Sequence, residues 1–281
     1  MLLLLVGSDV SVMESLQSSG RPFFGWATKN TVQPLNLADV LAGEPFLLGE
    51  FPAASQSRAV LETVGSGERT FSAIAAQAGG GGALPAGILS PLLTTLQDKR
   101  VLTADLPLSV KPDSKNRRYR IADPYLRFWL AFLQRAIPLI ERGRGDVALE
   151  RIERSWSTWR GRAIEPLIRE SLLRLLPNGE WPETEAIDGW WNRQNNPEID
   201  LIGADREPVA RQVQFVGSVK WLGNQPFGRH DYDALVRDML AVPGAAPDTA
   251  RVVVSPCGVV EGLPLTACWG PEDLVRAWQS R

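Results

Sequence analysis

The clearest periodicity in the chain lies between Ile187 and Trp221, where apolar and polar residues alternate in two runs, Pro197–Ala204 and Val209–Trp221. Asp205-Arg206-Glu207-Pro208 separates them, and a charged cluster ending in proline between two such runs marks a β-hairpin. In the first run Ile199 and Leu201 take one face, Asp200 and Ile202 the other. In the second, Val213, Phe215, Gly217 and Val219 oppose Gln214, Val216, Ser218 and Lys220. Asp200, Ser218 and Lys220 therefore share one side of one sheet, and that side is the candidate site.

Helical spacing dominates elsewhere. Ser57–Thr63 and Phe71–Gln77 read as short helices, with Thr70 as N-cap of the second. Pro85–Lys99 carries Ile88, Leu89, Leu92, Leu93 and Leu96 at helical intervals. Val101–Thr103 and Tyr119–Ile121 then suit two strands around a polar loop, Lys111–Arg118. Three helices and such a loop are the parts of a winged helix-turn-helix. Asp123-Pro124 opens a helix over Tyr125–Ile140 that is apolar nearly all round, which predicts a buried core helix ended or kinked by Pro138. Asp146–Trp159 and Ile164–Leu176 read as two amphipathic helices. Pro166 belongs in a first turn, so Glu165 is expected at a helix N-terminus, where a capping role competes with metal binding. Helix Tyr232–Val242, strand Arg251–Ser255 and helix Pro271–Gln279 complete a mixed α/β arrangement.

Composition narrows the function. A chain of 281 residues with 44% hydrophobic and 22% charged residues has the makeup of a globular protein of two or three domains. A net charge of −2 excludes bulk electrostatic attraction to nucleic acid, so any basic patch must be local. One is present: Lys111, Lys115, Arg117, Arg118 and Arg120 face a single acid, Asp113. It reads equally as a wing lying on phosphates or as a solvated loop of a protein-binding module. Two cysteines without C-x-x-C spacing and a lone His230 exclude a Cys/His zinc site and suit a reducing cytoplasm. No stretch reaches the length of a membrane span, and Met1–Val6 reads as a buried strand and not as a signal peptide. The phosphate-binding pattern G-x-x-x-x-G-K-[ST] does not occur, and Gly79–Gly82 reads as a turn or linker.

Trp190-Trp191-Asn192-Arg193, Glu198-Ile199-Asp200 and Val219-Lys220-Trp221, with Asp123–Trp129 upstream, resemble the C-terminal portion of prokaryotic DEXX-box ATPases. The resemblance implies three parts: residues 1–54 as the end of the ATPase domain (a sensor-like strand and helix in Leu2–Leu16), 55–122 as the winged helix, and 123–281 as a domain similar to the PD-(D/E)XK restriction-endonuclease fold. It also implies that a nucleotide-binding half belongs upstream, so the chain reads as a truncated or degenerate member from which no ATP binding is expected. In the nuclease pattern Asp200 and the acid of E-x-K would hold Mg²⁺ while Lys220 orients water, and Glu165 would be the helix-borne acid. Ser218 stands where the second acid should be. Two functions follow: a DNA- or protein-binding module, or a metal-dependent nuclease using Asp200 and Lys220, with Asp200 and Glu165 as the metal ligands.

Overall fold

In the computed structural model, residues 54–194 and 196–279 are described, and the sensor-like segment Leu2–Leu16 lies outside them. The described chain opens with helices α1 (Ala54–Gly65), α2 (Phe71–Ala78) and α3 (Ala86–Asp98), followed by strands β1 (Leu102–Asp105) and β2 (Arg118–Ile121). The Thr70 hydroxyl accepts a bond from the Ala73 amide at 3.3 Å, which caps α2 as its sequence predicts. β1 and β2 pair antiparallel, and Thr70 adds a bridge to Arg118 beside them. Leu89, Leu92, Leu93 and Leu96 are buried along α3, the stripe expected from their spacing.

The next segment departs from expectation. Helices α4 (Pro124–Phe128) and α5 (Gln134–Glu141) are joined by a π-helical turn, Trp129–Leu133, and Pro138 lies inside α5 without ending it. Only Trp129, Leu130 and Ala136 are buried there, so this is a flank of the core and not its centre. Phe128 and Phe132 instead pack edge-on against Trp159, with ring centroids 5.5 Å away in both pairs.

Asp146–Trp159 and Ile164–Leu176 form one helix, α6 (Gly145–Leu175), with Pro166 in its interior. Proline has no N–H to give the carbonyl four residues back, that of Arg162. Arg127 Nη1 approaches that carbonyl at 3.4 Å, so tertiary contact supplies the missing donor. Glu165 consequently sits in mid-helix, away from any helix N-terminus, and a capping role is removed.

The sheet orders as β3 (Ala186–Trp191), β4 (Glu198–Ala204), β5 (Val213–Val219), β6 (Ala250–Val254) and β7 (Ala267–Trp269). The first three strands are antiparallel, and β6 and β7 join in parallel. Ile168 and Leu172 of α6 and Leu274 of α8 (Pro271–Gln279) cover one face, against Leu201 and Phe215. Tyr232, Leu235 and Met239 of α7 (Arg229–Met239) cover the other, against Ile202 and Val216.

One expectation of face fails on β4. Asp188 pairs with Ile202 but Trp190 pairs with Ile199, so Asp200 and Leu201 oppose Gly189 alone. This bulge breaks the alternation. Ile199 joins Ile202 under α7, while Leu201 alone faces α6. Among the described residues no helix is long and apolar enough to cross a membrane.

Candidate functional site

Asp200 and Ser218 occupy matching positions on paired strands, one residue beyond the Leu201–Gly217 pair. The Asp200 carboxylate accepts from Ser218 Oγ at 3.0 Å and from the Val219 amide at 2.8 Å. Burial raises its pKa, and these two donors offset part of that. Lys220 does not reach it. Its ammonium bonds instead to Asp231 Oδ2 on α7, replacing the facing Asp200–Lys220 pair that simple alternation allows. Asp231 also accepts from the Gly228 amide at 2.9 Å, so one carboxylate caps α7 and holds the lysine. Burial works against the ionised Asp231, but Lys220 and the cap outweigh it and its pKa is lowered. Asp200, Ser218, Asp231 and Glu198 line a cleft of about 150 Å³ beneath α7.

Glu165 lies on the α6 side of the sheet. Arg169, one turn further along, stands 3.6 Å from it and 2.7 Å from Asp188. The same guanidinium donates to the Asp200 carbonyl from Nε at 3.2 Å and Nη2 at 3.0 Å. Gly189 makes this approach possible, since a Cβ there would stand 2.5 Å from Arg169 Nη2. Burial, offset in part by Arg169, raises the Glu165 pKa to about 7. Arg169 thus sits between the Glu165 carboxylate and the Asp200 carbonyl, while the Asp200 carboxylate, the other expected metal ligand, turns to Ser218 and Val219. Among the described residues no three His, Cys, Asp or Glu side chains gather in a metal-holding group.

The basic loop divides into two kinds of cation. Lys111, Lys115 and Arg117 are exposed. Arg118 is buried: it grips Glu198 with two bonds, of 2.5 and 3.0 Å, and its guanidinium stacks 4.1 Å above the centroid of Trp191. Arg120 pairs with Asp105 at 2.8 Å across β1 and β2. Arg118 is therefore an internal strut with a bidentate and a stacked partner, and Arg120 is tied to Asp105 through its Nε, so neither is presented to solvent as the three exposed cations are. Burial alone would lift the Glu198 carboxyl, yet the Arg118 bonds and charge bring it below its ordinary value. The segment between β1 and β2 is also pinned at its base. Leu108 N bonds Gly189 O at 2.9 Å, and Trp191 Nε1 bonds Asn116 O at 2.6 Å.

Sequence reasoning missed Arg169, Asp231 and Glu198 as organisers of these sites. Two left a signal. Arg162, Glu165 and Arg169 recur at helical spacing on α6, and Asp231 stands three residues after Gly228, a capping interval.

A model of the family DUF234, archaeal and bacterial proteins of unknown function, matches residues 129–227. The uncharacterized protein MJECL04 of Methanocaldococcus jannaschii is 27% identical over 174 residues, which are 61% of this chain and 37% of that relative. This chain thus spans little more than a third of the relative's length. No solved structure matches significantly. The segment carrying α6 and strands β3 to β5, and with them Glu165, Asp200, Ser218 and Lys220, is the part of the chain that is similar to that family of unknown function.

Proposed function

We propose that this chain is a DNA-binding module without ATP hydrolysis or phosphodiester cleavage of its own, built as a winged helix followed by a nuclease-like α/β domain, as in the C-terminal portion of DEXX-box ATPases. The order of three helices, an added bridge at Thr70 and a hairpin supports the first part. The central antiparallel hairpin between covering helices, with Asp200 at its bulge, supports the second.

The observation that carries DNA binding is the trio Lys111, Lys115 and Arg117, exposed on the β1–β2 loop. The one acid among them, Asp113, turns its carboxylate to the Lys115 amide at 2.9 Å. Such cations meet phosphates and not base edges. Sequence preference is expected to be slight, because the polar side chains of α3 bond inward: Thr94 to Ser90 O, Thr95 to Pro91 O and Gln97 to Leu93 O, all within 3.1 Å. Cleavage is disfavoured because Asp200 and Lys220 are each engaged by a partner within the protein.

Duplex binding at several salt concentrations tests this. Three neutralised phosphates give a log K against log salt slope of about −2.7. Lys111→Ala, Lys115→Ala and Arg117→Ala together should weaken binding to all sequences alike and flatten the slope. No binding at low salt, or equal slopes, would remove DNA and put the protein-binding reading first.

A further inference from the structure

Six guanidinium groups converge on one cleft between α6, β2 and the segment joining α1 to α2: those of Arg69, Arg118, Arg120, Arg127, Arg162 and Arg169. Among the described residues four carboxylates answer them. Asp105 holds Arg120, Glu198 holds Arg118, and Asp188 with Glu165 holds Arg169. The remainder is a local excess of cations in a chain whose total charge is negative. Arg69 reaches only to 3.9 Å from Glu198, whose two oxygens already serve Arg118. Arg127 donates to a backbone carbonyl and has no carboxylate at salt-bridge distance, and exposed Arg162 has none either, among the described residues.

Buried like charges are costly unless an anion answers them. Arg127 registers that cost, since burial first and the nearness of Arg69 next depress its pKa to about 10. Burial lowers that of Arg69 as well. Both remain charged at neutral pH. The cleft encloses about 30 Å³, room for roughly two waters. That suits one tetrahedral group.

We propose that the cleft lined by Arg69, Arg127 and Arg162 is a binding site for a single tetrahedral oxyanion, a phosphate held by planar guanidinium forks. The phosphate is either a free ion or the terminal monoester of a longer ligand. The site is separate from the loop cations Lys111, Lys115 and Arg117, so it does not rest on the duplex-binding reading.

The test uses the full chain and inorganic phosphate, titrated by calorimetry at constant ionic strength set with chloride. Saturable one-to-one binding is expected, weakened about tenfold by Arg162→Ala, which is exposed and leaves the fold intact. Arg69→Ala is expected to act likewise, with thermal unfolding recorded to separate loss of fold from loss of site. Arg206→Ala, at an exposed position between β4 and β5, should leave phosphate affinity unchanged. A second arm compares short single strands with a 5′-phosphate and a 5′-hydroxyl end. Tighter binding of the phosphorylated strand, competed by phosphate, identifies a terminal monoester; equal binding of the two strands alongside saturable phosphate binding identifies the free ion. Absence of saturable phosphate binding, or equal affinity in the wild type and Arg162→Ala, overturns the proposal even where duplex binding persists.

Discussion

Strand β4 divides two clefts that treat charge in opposite ways. Beneath α7, Asp200 is met by a hydroxyl and an amide, and Lys220 is closed onto Asp231. Every charge named there has a local answer. Beside α6, six arginines share four carboxylates among the described residues, and the surplus faces a cleft. Closure of charge marks a site that has settled into structure, whereas an uncompensated cluster that persists despite its burial cost marks a place where something binds. The motif-bearing side of the sheet is thus the quieter of the two.

The strongest way to break this contrast is to remove the strut that joins the clefts. Arg118→Ala strands Glu198 and uncovers Trp191, and it should destabilise by about 3 kcal/mol, the lower end for a buried pair because Glu198 is partly exposed. Urea unfolding measures it; a loss below about 1 kcal/mol would make Arg118 an ordinary surface arginine and restore it as a phosphate contact.

Next in size is the pH dependence set by Glu165. Its folded pKa of about 7 exceeds the ordinary value of 4.5, so the folded state holds more protons between those limits. The stability it contributes is fully present below pH 4.5 and is lost as pH rises through 7, on the order of 3 kcal/mol in all. Glu165→Gln should flatten that fall, read as unfolding free energy from pH 5 to 8. An unchanged slope would mean that Arg169 keeps Glu165 ionised throughout.

Ser218→Glu sharpens the contrast from the other side. It places a second carboxylate against half-buried Asp200 and should lower stability by about 1–3 kcal/mol in the absence of divalent cations. Mg²⁺ or Mn²⁺ should recover part of that loss in the variant and do nothing for the wild type in thermal unfolding. Cleavage of DNA by the unaltered protein, abolished by Asp200→Ala, would instead establish the nuclease reading.

The smallest effects belong to the Lys220–Asp231 pair. Lys220→Ala should cost about 0.5–1 kcal/mol, as an ion pair still in contact with solvent does. Asp231→Ala should cost about 1 kcal/mol more, since the α7 cap goes with it. Equal losses would show that the amide bond to Gly228 contributes nothing.

Local patterns carried much of this fold. The Thr70 cap, the leucine stripe of α3, the antiparallel β4–β5 pair and the closing helix Pro271–Gln279 all follow from neighbours in sequence, where propensity and periodicity act. So did the shared face of Asp200 and Ser218, whose side chains meet at 3.0 Å. Tertiary contact decided the rest. Pro166 looked like a helix start because its missing bond is a local fact, while the arginine that fills in comes from another helix. The β4 bulge moved Ile199 across the sheet because β3, a strand without clean alternation, sets its partner. The three-residue β7 was too short to carry a period. Five cations in one loop looked alike in sequence, yet two became struts and three stayed free for solvent. What separated them was the position of Glu198 and Asp105, and a charge is committed or available only according to what the fold brings within reach of it.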